Sequence, residues 1–333
     1  MPTMQAPAPA PGNAPVTGLI LTGGGARAAY QVGVLAALAQ LRRDAGVSAP
    51  SPFPIISGTS AGAINAATLA CHADDFDAAV DGLVHLWANL HVDQIYCADA
   101  FGVIRTGARW MTMMSLGWAV ARWRRTRPRS LLDNTPLGEL LHRWVKMERL
   151  DAMLAQGHLR ALAISGSSYT SGQHVTFYQS HQTFTPWPRS QRIAVRSRLT
   201  VEHLIASSAI PFIFPAESLD LDGQAEWFGD GSMRQSAPIS PAIHLGADRV
   251  LVIGAGRIQE PVGQARTLVP GHPSLAQIAG HALSNIFSGC AGGGCRAAAA
   301  HQRHTVLAVA RSDAIDQPAA DRCAGDRAEP ASR

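Results

Sequence analysis

Between Val16 and about Val92 the apolar positions switch repeatedly between two patterns. A short run, GLILT at 18–22, predicts a buried strand, and three glycines, Gly23–Gly25, interrupt it. Val32, Leu35, Leu38 and Leu41 then recur every third residue, with Val34 and Ala39 widening the stripe, which predicts a helix from about Ala28 to Leu41. Pro50, Pro52 and Pro54 mark a loop before a second apolar run, FPIISG, and an alanine-rich helix follows from about Ala61 to His72. Asp74–Leu90 reads as another helix. Further on, Leu131–Leu154 reads as helical, and ALAISGSSY at 161–169 as a strand with its exit loop. Gln173–Gln179 predicts a strand, the stretch from Thr200 a helix broken near Pro211, and Arg249–Ile253 a buried strand. Strands alternating with helices define an α/β chain whose sheet is largely parallel and covered on both faces.

Three segments stand apart from this alternation. The first fifteen residues, rich in Pro and Ala, lack the basic and apolar regions of a signal peptide and read as a disordered leader. In 101–130, Trp110, Met114 and Trp118 fall at helical spacing and arginines crowd the end from Arg122 to Arg129. One reading is a core-packing helix with a solvated basic end. The other is an interfacial segment whose aromatics enter lipid while arginines meet phosphates. Residues 288–333 hold three of the five cysteines, much Ala and Arg, and little periodicity. They read as a low-complexity tail, with a shifted reading frame as the second explanation.

Composition narrows the classes. Apolar residues make up 47% and charged residues 16%, enough for a large core and too few charges for global disorder. A net charge of +4 does not call for nucleic acid. Lys146 is the only lysine among 28 basic residues, which points to a GC-rich genome. The five cysteines form no disulfide framework, and Cys290 and Cys295 lack a second ligand pair at zinc-like spacing, so no metal is expected. No apolar stretch is long enough to span a bilayer. The expected location is cytoplasmic, with peripheral membrane contact through 101–130.

Three constellations carry chemistry. GTSAG at 58–62 is G-x-S-x-G between a predicted strand and a predicted helix, the setting of a nucleophile elbow. Ser60 at the tip of a sharp turn needs neighbours without bulk, here Gly58 and Gly62, with Thr59 and Ala61 completing the elbow. The bland alternative is that Thr59 or Ser60 caps the helix. The glycine loop aims backbone N–H groups at an anion. Gly23, Gly25 and Ala28 also satisfy a dinucleotide fingerprint, but its acid belongs at the end of the second strand. Asp44 lies before that strand, in LRRDAG, and the second strand ends instead in GTSAG. The third constellation is FGDGSM, with Asp230 and Gly231; alone, Asp-Gly is a hairpin signal.

GGGAR, GTSAG and the distant Asp-Gly, preceded by ASSAIPFIFPA at 206–216, together resemble the patatin-like phospholipase family over roughly Val16–Phe287. The resemblance implies a three-layer α/β/α sandwich with a mainly parallel central sheet and a serine lipid acyl hydrolase of phospholipase A, lysophospholipase or esterase type. Ser60 would be the nucleophile and Asp230 its activating partner. Gly23, Gly24 and Gly25 would supply the oxyanion hole, with Arg27 at the family's basic position, and Gly231 and Ser232 would complete the Asp-Gly motif. An acyl ester of a lipid is the implied substrate, and no cofactor or metal is required. Two departures occur: Ala28 follows the basic residue where the family has glycine, and Ser232 ends the Asp-Gly motif. A Ser–Asp–His triad with His244, His272 or His281 as base, and a nucleotide-binding α/β protein, remain the competing readings.

Overall fold

The computed structural model describes residues 15–47, 50–96, 130–185, 187–188, 191–221, 223–233, 235, 238–254 and 310–311. The expectations for the leader up to residue 14, for 101–129, for His272 and His281, and for nearly all of 288–333 lie outside the described residues. No helix among those described is long and apolar enough to cross a membrane.

Strand β1 (Thr17–Leu21) leads through the glycines and a 3₁₀ turn (Gly25–Ala28) into helix α1 (Ala29–Asp44). Strand β2 (Ile55–Thr59), helix α2 (Ala61–Cys71) and helix α3 (Phe76–Ala88) follow. Asp75 starts α3 by accepting the Ala78 N–H, which is why the helix begins at Phe76. After the undescribed stretch come α4 (Thr135–Trp144), α5 (Leu150–Ala155), β3 (Ala161–Ser168), β4 (His174–Gln179) and β5 (Arg192–Arg196). The chain continues with α6 (Val201–Ser207), β6 (Glu217–Leu221), β7 (Gln224–Asp230), α7 (Ser240–His244), β8 (Arg249–Ile253) and β9 (Ala310–Arg311).

The single helix expected over Leu131–Leu154 is two. α4 stops at Trp144, Val145 turns extended (φ −90°, ψ 108°), and α5 begins only at Leu150. No proline or glycine marks the break. Val145 is 1% exposed, so burial of its side chain prevails over local helix propensity.

The sheet runs β5-β4-β3-β2-β1-β8-β9, and its middle, β3-β2-β1-β8, is parallel. Antiparallel pairings lie at the margins: β4 on β3, β9 on β8, and the β6–β7 hairpin on β3. Alternation along the strands divides the core. Leu19, Leu21, Ile56, Leu162, Ile164 and Phe177 pack with α1–α6 on one face. Ile20, Ile55, Ala163, Tyr178 and Val252 face the other side, where α7 and Trp187 cover them. This is an α/β fold with a mainly parallel sheet flanked by helices. Its two faces are unequally thick among the described residues.

Candidate active site

Thr59 is the last residue of β2, and Ser60 stands between it and α2 with φ 55° and ψ −132°. A non-glycine residue held at positive φ is costly and persists only where its surroundings dictate it. Tight packing dictates it here. A Cβ at Gly62 would land on the carbonyl groups of Leu21 and Thr22, and one at Gly58 would strike the Cα of Ala63. The helix therefore starts against β1 at backbone distance, immediately after Ser60. No side-chain cap bond occurs at this helix start, so neither Thr59 nor Ser60 acts as the cap.

Strand β3 brings Asp230 to the serine. β2 ends at Thr59 opposite Ser165, and β3 continues for three more residues along an edge β2 no longer occupies. β7 takes up that edge antiparallel, with Asp230 opposite Gly166. Thr59, the residue before Ser60, and Asp230 thus lie opposite consecutive positions of one neighbouring strand. The Ser60 Oγ donates to Asp230 Oδ2 at 2.6 Å, and the Ser232 N–H donates to Oδ1 at 2.7 Å. Ser60 is 5% exposed and Asp230 0%. Burial raises the Asp230 pKa above the ordinary carboxylate value, while its bonds from Ser60 and Ser232 pull the other way. The Asp-Gly pair at 230–231 is not the hairpin turn. The β6–β7 hairpin turns between Leu221 and Gln224, where Gly223 has φ +83°.

Ser207, at the end of α6, is a supporting residue that motif reading missed. Its hydroxyl accepts the Ser60 N–H at 2.8 Å and donates to the Ser165 carbonyl at 2.7 Å. Its own carbonyl accepts the Gly231 N–H at 3.1 Å, and the Ala209 carbonyl accepts the Asp230 N–H at 2.9 Å. One helix end thereby ties both halves of the pair to β3. The only earlier signal was its place in ASSAIPFIFPA.

The glycine loop lies against the same point. A Cβ at Gly23 would fall on the Ser232 hydroxyl and stand 3.1 Å from the Ser60 Cβ. The Gly24 and Gly25 amides have no acceptor among the described residues. Arg27 is exposed in the last turn of the 3₁₀ segment. Ala28 is 0% exposed with φ −65°, so the glycine-to-alanine departure imposes no backbone strain. A buried polar chain holds the loop from behind. Gln31 Nε2 donates to the carbonyls of Thr22 (2.7 Å) and Ile253 (3.2 Å). Asn65 Nδ2 donates to Gln31 Oε1 and the Ala28 carbonyl, and Trp87 Nε1 donates to Asn65 Oδ1. Gln31 and Asn65 sit on apolar helix faces, where sequence periodicity gave no reason to single them out.

The alternative residues fall elsewhere. His244 stacks flat on Trp187 (5.0 Å between ring centroids, 7° between planes) on the thinner side of the sheet. Among the described residues Asp230 is the only side chain bonded to the Ser60 Oγ. Asp44 ends α1 and accepts from Gln40 Nε2. A cavity of about 360 Å³ lined by Gln179, His181, Arg196 and Arg198 opens at the opposite end of the strands and touches none of these groups.

The structure thus brings together a serine at positive φ, a buried aspartate hydrogen-bonded to it, and a loop of open amides. The chain belongs to the patatin-like phospholipase family, whose model matches residues 19–243. The solved structure of VipD from Legionella pneumophila is similar at 15% identity and a TM-score of 0.35, covering 72% of this chain and 49% of that one. The type III effector protein ExoU matches at 15% identity and a TM-score of 0.32, covering 82% and 52%. An ExoU–SpcU complex from the type III secretion system of Pseudomonas aeruginosa matches at 19% identity and 0.24, covering 50% and 33%. The chain spans about half the length of the first two. Among curated proteins none matches.

Proposed function

We propose that this protein hydrolyses the acyl esters of phospholipids or lysophospholipids through a Ser60–Asp230 dyad and an acyl-enzyme. Membership of the patatin-like phospholipase family implies a lipid acyl hydrolase; the residue roles are the finer reading. The observation that carries it is the 2.6 Å bond from Ser60 Oγ to a carboxylate that burial has made more basic. Asp230 takes the hydroxyl proton as Ser60 Oγ attacks the ester carbonyl carbon. The oxyanion is received by the Gly24 and Gly25 amides and the α2 N-terminus. Collapse breaks the bond to the leaving alcohol, which takes the proton from Asp230. Water then attacks the acyl-enzyme, giving a proton to Asp230, and the second collapse releases the fatty acid and returns that proton to Ser60. We place the hydrolase domain at 16–287, acting at a membrane surface without spanning it.

The test compares hydrolysis of a p-nitrophenyl ester and of phospholipid vesicles by the parent and the Ser60→Ala protein. The expected result is loss of both activities in the variant, by roughly four orders of magnitude. Parental rates in Ser60→Ala would end this reading.

A pH dependence follows from the same carboxylate. Asp230 works as a base only when ionised, and burial raises its pKa. kcat/KM should therefore fall on acidification through a single ionisation that lies above the ordinary aspartate value. A pH–rate profile that stays flat down to that ordinary value would contradict this assignment.

A further inference from the structure

Behind the glycine loop, three helices contribute one polar side chain each to a line that reaches both ends of the loop. Trp87 of α3, partly buried against the core, donates its indole N–H to Asn65 Oδ1 at 2.8 Å. Asn65 of α2 donates from Nδ2 to Gln31 Oε1 at 3.1 Å and to the Ala28 carbonyl at 3.3 Å. Gln31 of α1 donates from Nε2 to the Thr22 carbonyl at 2.7 Å and to the Ile253 carbonyl at 3.2 Å. Thr22 immediately precedes Gly23, and Ala28 closes the 3₁₀ turn that follows Gly24. Each end of the loop is therefore held by one amide side chain.

The line has one polarity. An indole N–H can only donate, so Asn65 must turn its oxygen to Trp87 and its nitrogen to Gln31 and Ala28. Gln31 must then turn its oxygen to Asn65 and its nitrogen to the two carbonyls. Gln31 and Asn65 are both 0% exposed, and every hydrogen of both side-chain amides has an acceptor. Apolar residues of matching shape would serve folding about as well as such a set. What the set adds is direction. The C=O and N–H of a trans peptide point to opposite sides, so holding the Thr22 oxygen on Gln31 turns the Gly23 N–H away from it. That N–H has no acceptor among the described residues, and a Cβ built on Gly23 would stand 3.1 Å from the Ser60 Cβ.

We infer that Gln31 is a positioning residue for the oxyanion loop: locked by Asn65 and Trp87, it fixes the Thr22–Gly23 peptide and so aims the loop's amides at the ester oxygen beside Ser60. The inference rests on the hydrolase reading above. Stabilising an oxyanion depends on donors held in place before the charge develops, and losing one such donor costs about a hundred- to a thousandfold in kcat. A loop released at Thr22 keeps its donors but not their aim. The neutral ester gains little from that aim, so its binding stays as it was. None of the three side chains bonds Asp230, so the base is unaffected.

The experiment measures kcat and KM for a p-nitrophenyl ester, the acid limb of the pH profile, and inhibition by octylboronic acid, in the parent, Gln31→Met, Trp87→Phe and Ser60→Ala. The boronic acid adds to Ser60 as a tetrahedral anion, so its Ki reads the oxyanion donors directly. A fluorophosphonate titration counts competent Ser60, and kcat is expressed per titrated site. Methionine matches glutamine in length and loses its donors. In Gln31→Met, kcat per site should fall about 10–100-fold and the boronic acid Ki rise by a similar factor, with KM within about twofold and the acid limb unmoved. Trp87→Phe, which frees the line to reverse, should show the same pattern at about three- to tenfold. A merely structural role would lower the titrated fraction and the thermal midpoint and leave kcat per site and Ki at parental values; that result overturns the inference. Should Gln31→Met not fold, Trp87→Phe decides it on the same two readouts. Parental rates in Ser60→Ala would instead refute the hydrolase reading itself, a separate outcome.

Discussion

Asp230→Asn should abolish ester hydrolysis, lowering kcat by about four orders of magnitude, while the folded protein becomes more stable rather than less. Asparagine has the same size, and its carbonyl oxygen still accepts the Ser232 N–H that now bonds Oδ1. It cannot take a proton from Ser60. The carboxylate is 0% exposed and forms no salt bridge among the described residues. An ionised group there is a cost to folding. The sign of the linkage agrees. A carboxylate whose folded pKa is raised holds its proton more readily when folded, so its ionisation above the unfolded pKa subtracts stability, and acidification through the folded pKa relieves this. Removing the charge should add about 1–2 kcal/mol at neutral pH, a rise of a few degrees in the thermal midpoint. Thermal melts at pH 5 and pH 7 check it: the gain should be larger at pH 7, and a drop in the midpoint would contradict the account.

Gly62→Ala should be a severely damaging single-methyl change beside Ser60. The added Cβ would meet the backbone carbonyls of Leu21 and Thr22, and backbone cannot swing aside as a flexible side chain can. α2 would have to back away from β1, taking the Ser60 elbow with it. A loss of about 3–5 kcal/mol is expected, with activity below detection even in the fraction that folds. Gly33→Ala is the control, since nothing lies within 4 Å of a Cβ built there. Chemical denaturation of the two variants reads the difference directly, and equal stabilities would sink the packing argument.

Much of this arrangement was legible in the chain, for identifiable reasons. β1, β2, β3 and β8 are buried on both faces, so they read as continuous apolar runs, and their ends matched within a residue or two. GTSAG could be placed because the elbow's requirements, small neighbours and a strand-to-helix turn, are local. The hairpin β6–β7 and edge strand β5 were not found. RIAVR of β5 is half-buried with arginine at both ends, and ESLDL of β6 alternates too weakly to announce itself. Ser207 and Gln31 were invisible for another reason. Each acts through a partner remote in sequence, and neither periodicity nor a short motif records such a pairing. Asp230 could be singled out only because its motif has company; nothing in FGDGSM states that β7 would occupy the edge β2 leaves free.

That shared edge sets what this architecture tolerates. The gap between the two reacting groups is written in the register of β2 and β7 on β3, where Thr59, the residue before Ser60, pairs with Ser165 and Asp230 with Gly166, and not in the length of chain that joins them. Insertions or deletions in the exposed connections between Ser60 and Asp230 should leave the pair untouched, however large. A slip of one residue where β7 meets β3 would turn the carboxylate to the far side of the sheet. Length is free here and phase is not.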